Sequence, residues 1–190
     1  MFLHFKLNSK PIWFDDYIRT TDDNSLIWRH FIKDFLFHHG LRYMVYFRLS
    51  QTCGNRLIKL FYEYKLFRLC RKHGIEIKTR TKIGPGFVLT HPYNITISPL
   101  AVIGKNVNIL KGATIGLSQG KHPGAPIIGD SVYIGINSTI LGGIRIGNDV
   151  LVAPNTLINQ DIPDHSIVIG NPCKIIPRDN ATGQYVNYKV

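Results

Sequence analysis

Residues 128–152 read IGDSVYIGINSTILGGIRIGNDVLV, and an aliphatic side chain returns in them at every sixth position: Ile128, Ile134, Ile140, Ile146 and Val152. The phase runs outward both ways. It continues to Ile158, and upstream Ile97, Ile103, Ile109 and Ile115 form one block and Ile77, Ile83 and Leu89 another. Gly often follows the aliphatic residue (Gly84, Gly104, Gly116, Gly129, Gly135, Gly147). A small or β-branched residue usually stands four places after it (Thr81, Ala101, Val107, Ala113, Val132, Ser138, Val150, Thr156). A period of six fits neither an amphipathic helix near 3.6 nor a ladder of period two. It fits a coil with short flat sides, in which one large apolar side chain per side points inward, the small residue fills the remaining space and Gly allows a tight corner. Coils stacked about 4.8 Å apart then build internal aliphatic ladders.

The rest of the chain has a different composition. Residues 1–82 hold 16 Lys/Arg against 7 Asp/Glu and 16 of the aromatic side chains, whereas residues 83–190 hold 7 against 5 and only 5 aromatics. The net charge of +11 is therefore concentrated in the first segment. Hydrophobic content of 44% is that of a folded protein and excludes wholesale disorder. Cys53, Cys70 and Cys173 are scattered and odd in number, which excludes a disulfide framework and points to a reducing cytosol. Neither a signal-peptide core at residues 1–10 nor a run of about 18 apolar residues is present. A cytoplasmic protein is expected.

Helices are expected across residues 25–73. Leu26, Ile27, Phe31 and Phe35 recur at helical spacing behind a cap drawn from Asp22, Asp23, Asn24 or Ser25. Gly40 opens a helix over 41–51, and Gly54-Asn55 breaks it before another over 56–73. In the last helix Leu57, Leu60, Phe61, Tyr64 and Phe67 form one face among Lys59, Lys65, Arg68, Arg71 and Lys72. Two readings suit it. It is a cap over the open end of the coil stack, or a basic amphipathic surface that meets anionic lipid at the inner face of the membrane. Basicity without a recognition motif gives no case for nucleic acid. The expected organisation is a helical region 1–73, a repeat domain 74–177 and a tail 178–190.

Regular coils have little chemistry of their own, so the two interruptions of the phase are the candidates. The slip between Leu89 and Ile97 holds Thr90-His91-Pro92, and the gap between Ile115 and Ile128 holds Lys121-His122-Pro123. Each contains one His followed by Pro. A zinc site would need three or four ligands, and no nearby Cys or carboxylate set supplies them, so no metal is expected.

Through the Ile-Gly-x-x-x-x pattern the chain resembles the bacterial hexapeptide acyltransferases. Within them it is similar to the serine acetyltransferases and the polysaccharide O-acetyltransferases of the colanic-acid type. The motifs are Gly-Ile-Glu-Ile (74–77), Ile-Gly-Pro-Gly (83–86), Thr-His (90–91), Gly-Ala-Thr-Ile-Gly (112–116), Lys-His-Pro (121–123) and Ile-Gly-Asn-Pro-Cys-Lys-Ile-Ile (169–176). The resemblance implies a left-handed parallel β-helix with three hexads per coil, a homotrimer, and direct acetyl transfer from acetyl-CoA to a hydroxyl. It makes His91 the general base and Glu76, fifteen positions earlier, its orienting carboxylate. Thr90, Lys121 and His122 fall at the acceptor. Gly116, Gly135, Ile136, Ala153 and Pro154 would line the CoA, with Lys174 and Arg178 on its phosphates. Imidazole suits the role, because it accepts a proton at neutral pH and a carboxylate on its far nitrogen fixes the tautomer.

The serine-specific members carry Asp where this chain has Thr90, and a longer helical domain. A free amino acid needs a carboxylate for its ammonium group, whereas a sugar hydroxyl does not. The expected acceptor is therefore a surface-polysaccharide sugar, with serine O-acetylation as the alternative. A non-catalytic β-helical binding module is the alternative of another class, and the His91, Glu76 and His122 pattern weighs against it.

Overall fold

In the computed structural model the six-residue period closes into a triangular prism of about five parallel coils, the architecture of a left-handed β-helix. Residues 11–21 and 28–190 are described, without the Trp28 side chain. The expected cap residues 22–25, together with Leu26, Ile27 and the first ten positions, lie outside them.

The first wall stacks β1 (Ile75–Ile77), β4 (Ile95–Ile97), β7 (Thr114–Gly116), β10 (Thr139–Leu141) and β13 (Leu157–Ile158). The second stacks β2 (Lys82–Ile83), β5 (Val102–Ile103), β8 (Ile127–Ile128) and β11 (Arg145–Ile146). The third stacks β3 (Val88–Thr90), β6 (Asn108–Leu110), β9 (Tyr133–Ile134), β12 (Val150–Val152) and β14 (Ser166–Ile169), with β15 (Lys174–Pro177) turned back antiparallel on β14. The register follows the aliphatic phase. Ile77, Ile97, Ile115, Ile140 and Ile158 form one ladder. Ile83, Ile103, Ile128 and Ile146 form the second, and Leu89, Ile109, Ile134, Val152 and Val168 the third. All are buried, each worth about 1.5–3 kcal/mol of transfer free energy.

Two of the three edges carry a column of left-handed residues. Gly74, Asn94, Gly112, Asn137 and Asn155 line the edge between third and first walls; Gly86, Asn106, Ser131, Asp149 and His165 line that between second and third. Gly and Asn tolerate positive φ best. The slip at 90–94 and the loop at 117–126 add residues only at edges, so the ladders pass them in register.

Four helices precede the coils: α1 (Ile12–Thr21), α2 (Trp28–Phe37), α3 (His39–Thr52) and α4 (Arg56–His73). Helix α1 falls outside the expected helical span. Asn55 caps α4, its side chain accepting from the Leu57 and Ile58 N–H groups, and Gly74 ends it in left-handed geometry while opening the first edge. Tyr43, Met44 and Phe47 of α3 and Leu66 and Leu69 of α4 join the ladder core. The Tyr43 hydroxyl donates to the Ile77 carbonyl at 3.0 Å and accepts its N–H at 3.3 Å, closing the open strand edge. Capping thus falls to residues other than the Leu57–Phe67 stripe, which stays exposed.

A buried ion pair fastens the helices down. Arg48 reaches Asp16 at 2.9 Å and donates to the Ile83 and Gly84 carbonyls, while Asp16 accepts the Phe87 N–H at 2.8 Å. At the far end, residues 178–190 run back along the prism. The Asp149 carboxylate accepts from the Ala181 N–H and from the Thr182 N–H and hydroxyl, Tyr185 packs on Tyr133, and Val190 pairs with Asn106. Burial alone would raise the Asp149 carboxyl, but these bonds and one to His165 hold it down at about 2.

Replacing Asp16 by Ala leaves Arg48 charged and unpaired. Removing one partner of a buried pair costs about 3–5 kcal/mol, so Asp16→Ala should move the urea midpoint far down at unchanged slope.

Candidate functional site

The slip between β3 and β4 builds one corner of the prism. His91 is left-handed (φ 48°) although it belongs to neither glycine- and asparagine-rich edge column. Few residues other than Gly, Asn, Asp and His enter that region. Its carbonyl accepts the Tyr93 N–H at 2.8 Å, the Tyr93 carbonyl accepts the Gly112 N–H from the next coil, and the His73 carbonyl accepts the Asn94 N–H. Thr90 and His91 line a cavity of about 360 Å³ together with Thr20, Phe37, His38, His39 and Gly40, so the helices roof this corner. Gly40 permits the approach, since a Cβ there would lie 2.7 Å from the Leu89 carbonyl oxygen. The role of Gly40 as a helix opener did not foretell this packing.

The structure divides the remaining candidates by edge. Gly135 and Ile136, then Ala153 and Pro154, stack coil on coil along the same edge as Thr90 and His91, with the Gly135 N–H donating to the Val152 carbonyl and the Asn155 N–H to the Ile136 carbonyl. Lys174 pairs with Ile169 near the top of that edge and is exposed. Arg178 lies across the third wall, its N–H on the His165 carbonyl. Gly116 ends β7, and Lys121 and His122 lie in the following loop, on the opposite edge of the first wall from His91. That wall is some five residues wide, so His91 and His122 of one chain are about 15 Å or more apart. The loop is pinned by paired bonds between Ser118 and Gly124 and by the Gly143 N–H on the His122 carbonyl.

Glu76 is exposed on β1. It borders a groove of about 460 Å³ with Tyr43, Glu63, Phe67 and Cys70, and a second one with Arg80, Thr96 and Ser98. His91 lines neither. No hydrogen bond or ion pair joins the two side chains among the described residues.

A cluster unread in the sequence lies beside this corner. The His39 and His73 rings stack at 4.4 Å and 15°, and Tyr93 meets both edge-on at 5.2 and 5.3 Å. His39 Nε2 and His73 Nδ1 are buried without partners. Burial, then Arg42, Lys72 and His38, lowers the basicity of His39; burial, then His39, Lys72 and Arg42, lowers that of His73. The only signal available was that each sits at a helix end.

Residues 125–160 match the bacterial transferase hexapeptide (six repeats) model. Serine acetyltransferase from Helicobacter pylori is 32% identical over 147 residues, which cover 76% of this chain and 85% of that protein. Serine acetyltransferase 4 from Arabidopsis thaliana is 43% identical over 125 residues, 65% of this chain, but the match spans only 34% of that protein. Soybean serine acetyltransferase complexed with serine superposes with a TM-score of 0.70 at 27% identity, over 87% of this chain and 68% of that one.

Both lowered histidines are neutral when folded and bind protons more readily when unfolded. Their contribution is present above the ordinary value of 6.5 and is lost as pH falls below it. The raised His165 acts in the opposite sense, so the comparison must be made between variants. Replacing His39 and His73 together by Phe keeps the ring contacts and should flatten the loss of urea stability between about pH 7 and 5.

Proposed function

Because the chain belongs to the hexapeptide-repeat transferase family, we propose that it transfers acetyl from acetyl-CoA to an acceptor hydroxyl, with His91 as general base. The observation that carries this reading is the corner itself: an imidazole held in left-handed backbone, under a helical roof, on the edge shared by Gly135, Ile136, Ala153, Pro154 and Lys174. Stacked turn backbone along that edge offers hydrogen bonds to a pantetheine arm, and Lys174 a charge for phosphate.

The reaction needs no acyl-enzyme. His91 takes the acceptor proton as the oxygen attacks the thioester carbonyl, and the tetrahedral intermediate expels the CoA thiolate, which takes the proton back from the imidazolium. Glu76 is the proposed orienting carboxylate. Both side chains are exposed, and turning them together is a step the reading requires. A homotrimer that set the edge bearing Lys121 and His122 of one copy against the edge bearing His91 of the next would bring a second imidazole near the developing oxyanion.

L-serine is the acceptor best supported by the relatives' names and by the serine-complexed soybean structure. One observation favours a saccharide hydroxyl instead. Thr90 stands beside the base, and the described residues lining the cavity include no carboxylate for an ammonium group.

His91→Ala should lower kcat by about 10²–10⁴-fold with an unchanged melting curve, since His91 is exposed and outside the ladders. A variant keeping a third of the activity would remove His91 from the chemistry. Glu76→Gln should cost less. For the acceptor, kcat/KM with L-serine decides: about 10⁴ M⁻¹s⁻¹ or more is typical of an enzyme on its own substrate. A value orders of magnitude lower, with acetyl-CoA binding intact, would transfer the assignment to a saccharide.

A further inference from the structure

Helix α4 buries only Leu66, Leu69 and His73. On its outer side Leu57, Leu60, Phe61, Tyr64 and Phe67, spaced as one helical stripe, are 51–77% exposed. Cations share that side: Lys65 lies over the Phe61 ring at 5.0 Å, Arg71 over Phe67 at 5.8 Å and Arg68 over Tyr64 at 6.0 Å. With Arg56, Lys59 and Lys72 the helix carries six cations against one anion, Glu63. The face extends beyond α4. Tyr46 of α3 touches both Phe35 of α2 and Tyr62 of α4, and α2 likewise exposes Ile32, Leu36 and Phe37.

We propose that the outer face of α4, flanked by α2, docks on an anionic lipid bilayer. An apolar stripe about 15 Å long under a row of cations, with aromatic rings between, matches the boundary between acyl chains and anionic headgroups. Charge argues against a second copy as occupant. Two such faces together would desolvate a dozen like charges, and the copy offers a net +11. Nucleic acid would engage the cations but leave the apolar stripe in water. No described helix is long and apolar enough to cross a membrane.

The test is cosedimentation of the full chain with vesicles of phosphatidylcholine alone or mixed with phosphatidylglycerol. Binding is expected only with phosphatidylglycerol, and should weaken as salt screens it. Each cation near an anionic surface is worth about 1 kcal/mol, roughly fivefold in partitioning. Lys65→Glu, Arg68→Glu and Arg71→Glu together should therefore reduce binding by about a hundredfold or more. Leu57→Gln, Leu60→Gln and Phe61→Gln together should also reduce it, with acetyl transfer in solution and the melting curve unchanged. Equal binding to neutral vesicles, or none to anionic ones, overturns the proposal. So does retention of binding in the Gln variant, which marks a general polyanion site, or a change in its sedimentation coefficient, which marks a contact between copies.

Discussion

In-register stacking of one aliphatic side chain per wall per coil governs everything else in this molecule. Each such residue touches its equivalents above and below, so a coil that slipped by one residue would expose its ladder and bury its polar face. Variation is confined to the edges, where extra residues leave without disturbing a wall. Both histidine-bearing interruptions obey that rule. The slip shifts the chain by two residues between Leu89 and Ile97, yet those residues stay in their ladders beside Ile109 and Ile115. The two candidate histidines therefore stand at corners, whereas Glu76 stands on a wall.

The helices solve the problem a coil stack creates at its end, and in doing so they shape the candidate site. An open strand edge exposes unpaired backbone, and Tyr43, Gln51 and Arg48 meet it with donors aimed at carbonyls of the first coil. The same docking carries His39 and Gly40 onto the slip. Capping and roofing are one act of packing, and a change in how α3 seats would reach Thr90 and His91 through Leu89 and Pro92.

The prism was legible because its signal is a count: Ile77, Ile97, Ile115, Ile140 and Ile158 are found by spacing alone, without knowledge of contacts. The helices over 41–51 and 56–73 were legible from their breakers. Helix α1 was not, since its short run from Ile12 declares its purpose only through Asp16 and Arg19, whose partners lie 32 and more residues away. The stacked His39 and His73, 34 positions apart, are invisible for the same reason. Helical spacing showed the α4 stripe but not which way it faced, because periodicity separates two sides of a helix without saying which is inward. Motif order likewise assigned Arg178 beside Lys174, and only the antiparallel return of β15 reveals that they stand on opposite edges of a wall.

The returning segment 178–190 has a consequence for how the chain comes apart. A solenoid held only by neighbour contacts can fray one coil at a time from either end. Here the segment is anchored at Asp149 and His165 in the upper coils, at Asn106 in a lower one and at Arg19 of α1. Losing the top coil therefore also loosens the seat of α1 at the bottom. The strap turns a one-dimensional array into a closed circuit, in which partial unzipping gains little entropy until both ends release together.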